Sequence, residues 1–339
     1  MTTEKRDPHE LVERARLAEK AGHSARALGL FDDALSALGE DSADPYVADV
    51  LRWKGTLLRE RGETEGAFRC YGRSLEQARL SGSVGAEAHA LNCQAIIHQR
   101  RGENKDAERL YAMAAALAET VGDARLLGMI QQNRGVLANM HGDFAAATER
   151  YSKSLEAFEK AGDAEPASWV LNNMGMLHTK TGNYREAREY FARALEIARQ
   201  RGDTVVQSVV SLNLAEAWVG ADRLDLADVL CSHALEEAQR RGDHLTAAGA
   251  LKVRASIERR RGALDKSIAT LRIAIYEAEG AEDRLLHAEM LRELGEISRA
   301  VGNSGAARSA LREAADAFRL TGATRDLQEV EAQLGSLPT

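Results

Sequence analysis

The chain is predicted to be all-α: an α-solenoid of about eight antiparallel helix pairs with a C-terminal capping helix. Three observations predict it. A glycine recurs every twenty residues, the stretches between are rich in Ala, Leu, Glu, Arg and Gln, and columns of small and large residues repeat every forty. One family of glycines, at 22, 62, 102, 142, 182, 262 and 302, has Asp222 in its vacant place. The second, at 82, 122, 162, 202, 242 and 322, has Glu282 in its vacancy.

Each stretch reads as a helix. From Tyr184 to Gln200 the residues Ala187, Phe191, Ala194, Leu195 and Ala198 fall on one side, the spacing of an amphipathic helix. A glycine then stops it by entering the left-handed C′ conformation without steric cost. Asp123, Asp163, Asp203, Asp243 and Asp283 stand one residue past the midway beat, where an N-cap belongs. Asp7-Pro8 is expected to open the first helix. The predicted turns centre near 22, 62, 102, 142, 182, 222, 262 and 302, and Arg325 to Leu334 reads as the cap. Its Leu327, Val330 and Leu334 are expected to cover the last pair, with Glu329 and Glu331 in water. One domain over 1–339 is expected, since a solenoid grows by adding units.

The columns say what packs. Second helices carry Ala27, Ala67, Ala107, Ala147, Ala187, Ala227, Ser267 and Ala307, then Phe31, Tyr71, Tyr111, Tyr151, Phe191, Cys231, Leu271 and Leu311 four residues on. First helices carry a small column, Gly55, Ala95, Gly135, Gly175, Ala215, Ala255 and Gly295. Small residues let two helices approach, and the large one plugs the gap. The last three units lose the aromatic plug, and looser packing is expected there.

Composition narrows function. The net charge of −7 argues against nucleic acid as partner, because phosphate binding needs a basic footprint. No apolar run is long enough to cross a bilayer, so no membrane partner is expected. The opening MTTEKRDPHE lacks a signal-peptide core, and three cysteines (Cys70, Cys93 and Cys231) without paired spacing read as reduced thiols. A cytoplasmic location is expected, and arginine outnumbering lysine points to a bacterial source.

Chemistry is sparse. His89 and Cys93 share a helical face and Cys70 offers a third ligand, but a metal site of this type wants four. There is no phosphate loop and no catalytic triad spacing. Neither enzyme activity, metal nor cofactor is expected. Arg201-Gly202-Asp203 and Arg241-Gly242-Asp243 spell an adhesion tripeptide, but each is simply a helix stop followed by a cap. The arginines at 100–101 and 259–261 close first helices, where cations complement the dipole.

The columns resemble the tetratricopeptide repeat. Residues 172–198, NNMGMLHTKTGNYREAREYFARALEIA, hold that family's Gly/Ala, Gly, Tyr, Ala, aromatic and Ala positions in register. The usual unit has thirty-four residues and commonly ends in proline. The forty-residue form here is similar to kinesin light chain, the LGN-type polarity adaptors and bacterial peptide-pheromone regulators. The resemblance implies that first helices line a concave, ligand-binding surface. By register that surface carries the column Glu13, Trp53, Cys93, Asn133, Asn173, Asn213, Val253, Glu293.

Three consecutive asparagines are not explained by helix propensity. Each amide offers two donors and an acceptor, enough to clamp a peptide backbone, and the resemblance implies that use. Asn92 and Asn172 extend the set one residue earlier; bonding between neighbouring helices is the competing reading. Met129, Trp169 and Val209, with Ile96, Val136 and Met176, would make the groove apolar. Arg52, Arg59, Arg100, Lys180, Lys252, Arg259, Arg260 and Arg299 fall in or beside concave columns, suiting an acidic or carboxylate-ended partner. The expected function is a non-catalytic adaptor or peptide sensor that binds a peptide or protein segment in its groove. The alternatives are a self-assembling scaffold, with self-association, and a small-molecule-sensing module acting on an effector in another chain.

Overall fold

The computed structural model describes residues 7–39, 44–280 and 283–337. Seventeen helices run through them. They are α1 Pro8–Lys20, α2 Ser24–Leu38, α3 Pro45–Glu60, α4 Thr64–Leu80, α5 Val84–Arg100, α6 Asn104–Val121, α7 Ala124–Met140, α8 Phe144–Ala161 and α9 Ala164–Lys180. There follow α10 Tyr184–Arg201, α11 Thr204–Gly220, α12 Leu224–Arg241, α13 His244–Arg260, α14 Leu264–Gly280, α15 Arg284–Ala300, α16 Ser304–Thr321 and α17 Thr324–Gly335. Eight pairs and a cap are thus the observed order. The expected vacancy at Glu282 lies outside the described residues.

The helices form two compact units, Met1–Ile130 and Gln131–Thr339, divided within α7. In the first, α1 packs on α2, α3 on α4 and α5 on α6, and the first helices α3 and α5 also touch. In the second, α9 through α16 pair in the same way, α17 packs on α16, and α9, α11, α13 and α15 each touch the next in line.

The stop and start signals work as their chemistry requires. Gly122 and Gly202 turn left-handed, with φ of 72° and 67°. Asp222 does the same at φ 59°, the one non-glycine to do so among the described residues. The side chains of Asp123, Asp203, Asp243 and Asp283 accept backbone N–H bonds from the helices they open. Asp163 holds the cap position without a side-chain bond to its helix. Asp7 caps α1 by accepting from His9 N at 3.0 Å, with Pro8 in the first turn.

Plug and small column meet directly. A Cβ added at Gly55 would stand 2.7 Å from Tyr71 Cε1, and one at Gly175 would stand 2.5 Å from Phe191 Cε1. Gly135 against Tyr151 and Gly295 against Leu311 are as close. These plugs are buried, each contributing roughly 1.5–3 kcal/mol. Cys231, Leu271 and Leu311, which replace the aromatic, are buried as completely, and Cys231 Sγ donates to the Ala250 carbonyl at 3.0 Å. On α17, Val330 is buried and Leu327 and Leu334 join its cluster, while Glu329 and Glu331 are exposed, as expected.

Candidate functional site

The predicted groove residues lie on first helices, and the structure treats them differently. In the first unit, Asn92 is buried and Cys93 half-buried; burial pushes the thiols of Cys70 and Cys93 up, away from the reactive thiolate. Trp53 lies against two cations, with Arg16 at 5.1 Å and Arg52 at 5.4 Å from its ring. Arg100 is exposed, and burial of its inner atoms together with the charge of Arg59 pulls it below the guanidinium range. Met129 is exposed. Burial and the neighbouring Arg52 lower His89 to about 4. Among the described residues no three His, Cys, Asp or Glu side chains are placed to hold a metal.

In the second unit Asn172 and Asn213 are bonded to each other, and Asn173 is not part of that bond. Asn213 Nδ2 donates to Asn172 Oδ1 at 2.8 Å, joining α11 to α9. Asn172 is buried, and its Nδ2 approaches Met176 Sδ at 3.6 Å. Asn133 and Asn173 are both half-buried. The Asn173 amide meets no hydrogen-bonding partner among the described residues. Met176, one turn along α9, is 41% exposed. Trp169 is half-buried and packs beside the cluster of Leu171, Phe191 and Val210.

Of the cations expected beside the groove in this unit, Lys180, Lys252, Arg259 and Arg260 each face a carboxylate. Arg259 lies 3.6 Å from Glu293 and 3.2 Å from Glu296, and Arg260 lies 2.9 Å from Asp222. Lys180 faces Asp326 at 3.9 Å. Lys252 is held between Glu216 at 2.9 Å and Glu289 at 2.7 Å. Burial alone would push Lys252 down, but the two carboxylates outweigh it and hold the proton more tightly than in an ordinary lysine. Burial opposes the charge on Glu289 too; Lys252 overcomes it and keeps that carboxyl below its usual range. Glu293 is pushed up, chiefly by burial.

Two of these pairs share a spacing with three further contacts, and alignment by columns of forty does not show it. Lys252 with Glu289, Ser256 with Glu293, Arg259 with Glu296, Arg292 with Glu329 and Glu296 with Gln333 are all separated by 37 residues. A side chain on one first helix meets the one a turn back from its equivalent on the next, as tilted helices demand. Searching for opposite charges at that offset would have exposed Lys252 with Glu289, Arg259 with Glu296 and Arg292 with Glu329.

The comparisons agree with this architecture. The family model for the tetratricopeptide repeat matches residues 86–160, 126–200 and 166–227. None of the curated proteins matches the sequence. Among solved structures, the apo form of the quorum sensor NprR from B. thuringiensis is similar at TM-score 0.66 and 16% identity, covering 92% of this chain and 87% of that one. The apo form of RapI is similar at TM-score 0.65 and 16% identity, covering 80% and 97%. A Rap protein complexed with Competence and Sporulation Factor is similar at TM-score 0.61 and 13% identity, covering 97% and 98%. At such identities the likeness is one of fold. Among the described residues no helix is long and apolar enough to cross a membrane. Over residues 86–227 the chain is thus built of tetratricopeptide repeats, in a long forty-residue form.

Proposed function

We propose that the protein is a non-catalytic peptide sensor or adaptor, and that first helices of its second unit hold an extended segment of the partner. The observation that carries this reading is Asn173. It presents an amide with no partner on a surface where neighbouring polar side chains are bonded, beside the exposed thioether of Met176. A half-buried amide that stays unpaired is costly unless a ligand or water meets it. Asn173, with Asn133 beside it in register, clamps the backbone. Asn172 and Asn213 hold α9 and α11 in place for it. Met176 and the edge of Trp169 accept apolar side chains, since thioethers adapt to varied shapes.

In the first unit, Arg100 and Met129 offer an exposed cation and an exposed apolar tip, and buried Asn92 acts as support. An acidic or carboxylate-ended partner suits Arg100, while in the second unit Lys180 and Arg259 already hold carboxylates. The quorum sensor and the factor-bound Rap protein support a peptide partner through their shared fold. On this reading the whole chain works as one solenoid domain in the cytoplasm, and output passes through another chain. The test is an array of short random peptides probed with the parent protein and with Asn173→Ala. Capture should fall about tenfold, the worth of one well-made hydrogen bond, with helicity and Tm unchanged. Equal capture by both proteins would overturn the reading.

A further inference from the structure

The cap does more than cover the last pair. The apolar side of α17, through Val330, Leu327 and Leu334, packs into the cluster of Ala288, Leu311 and Phe318. Its N-terminal turn reaches elsewhere, to residues more than half the chain's length away in sequence. Thr324 Oγ1 lies 3.0 Å from His141 Nδ1, and the guanidinium of Arg325 sits 4.8 Å over the Phe144 ring. The aliphatic part of Arg325 lies so close to Gly142 that a Cβ there would meet its Cδ at 2.9 Å. Asp326 accepts from Arg292 Nη1 at 2.6 Å and faces Lys180 at 3.9 Å. Its side chain is only 11% exposed.

One carboxylate is therefore withdrawn from water between a cation of α15 and a cation of α9. Lys180 has no other ion-pair partner among the described residues. An end cap needs only the apolar contact. The polar reach to α9 is additional, and it falls on the helix that carries Asn173.

We propose that Lys180 and Arg292 form a carboxylate subsite of the second unit's groove, and that Asp326 of α17 is its internal occupant, displaced when an acidic or carboxylate-ended segment binds. The proposal rests on the groove reading above. Asn173 and Lys180 are seven residues apart on α9, so they share a face about 10 Å apart. An extended chain covers that distance in about three residues. A segment clamped at Asn173 thus brings a carboxylate to Lys180 when its acidic side chain, or its free C-terminus, lies about three residues further on. Arginine and lysine together suit it: one offers a planar fork for two oxygens, the other a mobile point charge. Displacement frees α17 from the α7–α8 turn, so binding is coupled to release of the cap.

The probe is a peptide array printed in pairs that differ only in a glutamate replaced by glutamine. It is read with the parent, Asp326→Asn, and the double variant Asp326→Asn with Arg292→Gln. Asp326→Asn should strengthen capture of the glutamate members about tenfold and leave the glutamine members unchanged. The double variant should return to the parent level. Without peptide, hydrogen exchange at residues 140–144 should be faster in Asp326→Asn, and circular dichroism should report intact helices in all three. A uniform change across both members of each pair, or none, overturns the proposal. The glutamine members test the Asn173 groove by themselves, so failure of that reading is separately visible as their indifference to Asn173→Ala.

Discussion

Asn213 and Asn172 are bonded to each other across two first helices, Nδ2 to Oδ1 at 2.8 Å, while Asn173 beside them has no partner among the described residues. The asparagines therefore differ: two brace α11 against α9, and Asn173 is the one we propose for the groove. Asn172→Ala should cost about 1 kcal/mol of stability by leaving Asn213 unpaired in a crowded place. A double-mutant cycle on 172 and 213 should return a coupling of about 1 kcal/mol, and one on 173 and 213 close to none. Urea unfolding measures both; equal couplings would contradict the division.

Asp222 holds a left-handed backbone at φ 59° where the repeats otherwise use glycine. Asp222→Gly should raise stability by about 0.5–1 kcal/mol, relieving strain while losing only an exposed pair with Arg260. Thermal unfolding is the measurement, and a lowered Tm would refute it.

Gly175 leaves no room for a Cβ against Phe191. Gly175→Ala should destabilise by about 1–3 kcal/mol. Adding Phe191→Leu should recover part of that loss, because the chain itself places Leu271 in the plug column where Ala255 stands in the small column. Failure of the second substitution to help at all would show that the two positions are not coupled.

Lys252 neutralises Glu216 and Glu289 together. Lys252→Ala leaves two facing carboxylates and should cost about 3–5 kcal/mol at neutral pH. The sign of the pH effect follows from Glu289, which is held below its usual range. The stability it confers is present above the ordinary carboxylate pKa and lost as pH falls through the folded value. The variant should therefore lose less than the parent on acidification, as denaturant titrations at two pH values will show.

His89 stays neutral down to about 4 because burial and Arg52 oppose its charge. Below its unfolded value of about 6.5, the unfolded chain takes up a proton that the folded one refuses, so stability falls as pH drops through that window. Between pH 7 and 5 the parent should lose about 2 kcal/mol more than His89→Gln. Parallel slopes for the two proteins would exclude His89 as the source.

Much of the fold was legible because it is written locally. Helix lengths, glycine stops, the cap over Arg325 to Leu334 (observed as Thr324–Gly335) and the contact of Gly55 with Tyr71 all follow from spacing within one unit. Asp163 was the local exception, a cap position whose side chain does not bond its own helix. The candidate site was half legible. Position in a column placed Asn173 and Met176 on the first helix, but it could not say which amide was already satisfied. Nor could it show that Arg259 and Lys180 already held carboxylates: the pair of Arg259 with Glu296, 37 residues on, depends on helix tilt, and that of Lys180 with Asp326 joins α9 to α17. The meeting of Thr324 with His141 depends on curvature summed over several units, which no short window of sequence contains.

That meeting changes how the second unit should assemble. In an open array each repeat consults only its neighbours, and damage at one end stays there. A bond spanning 183 residues gives the second unit a loop with a boundary condition: every intervening repeat must have its proper length and angle before Thr324 can find His141. The last of the described helices, α17, is thus the one that registers whether the helices before it were built correctly.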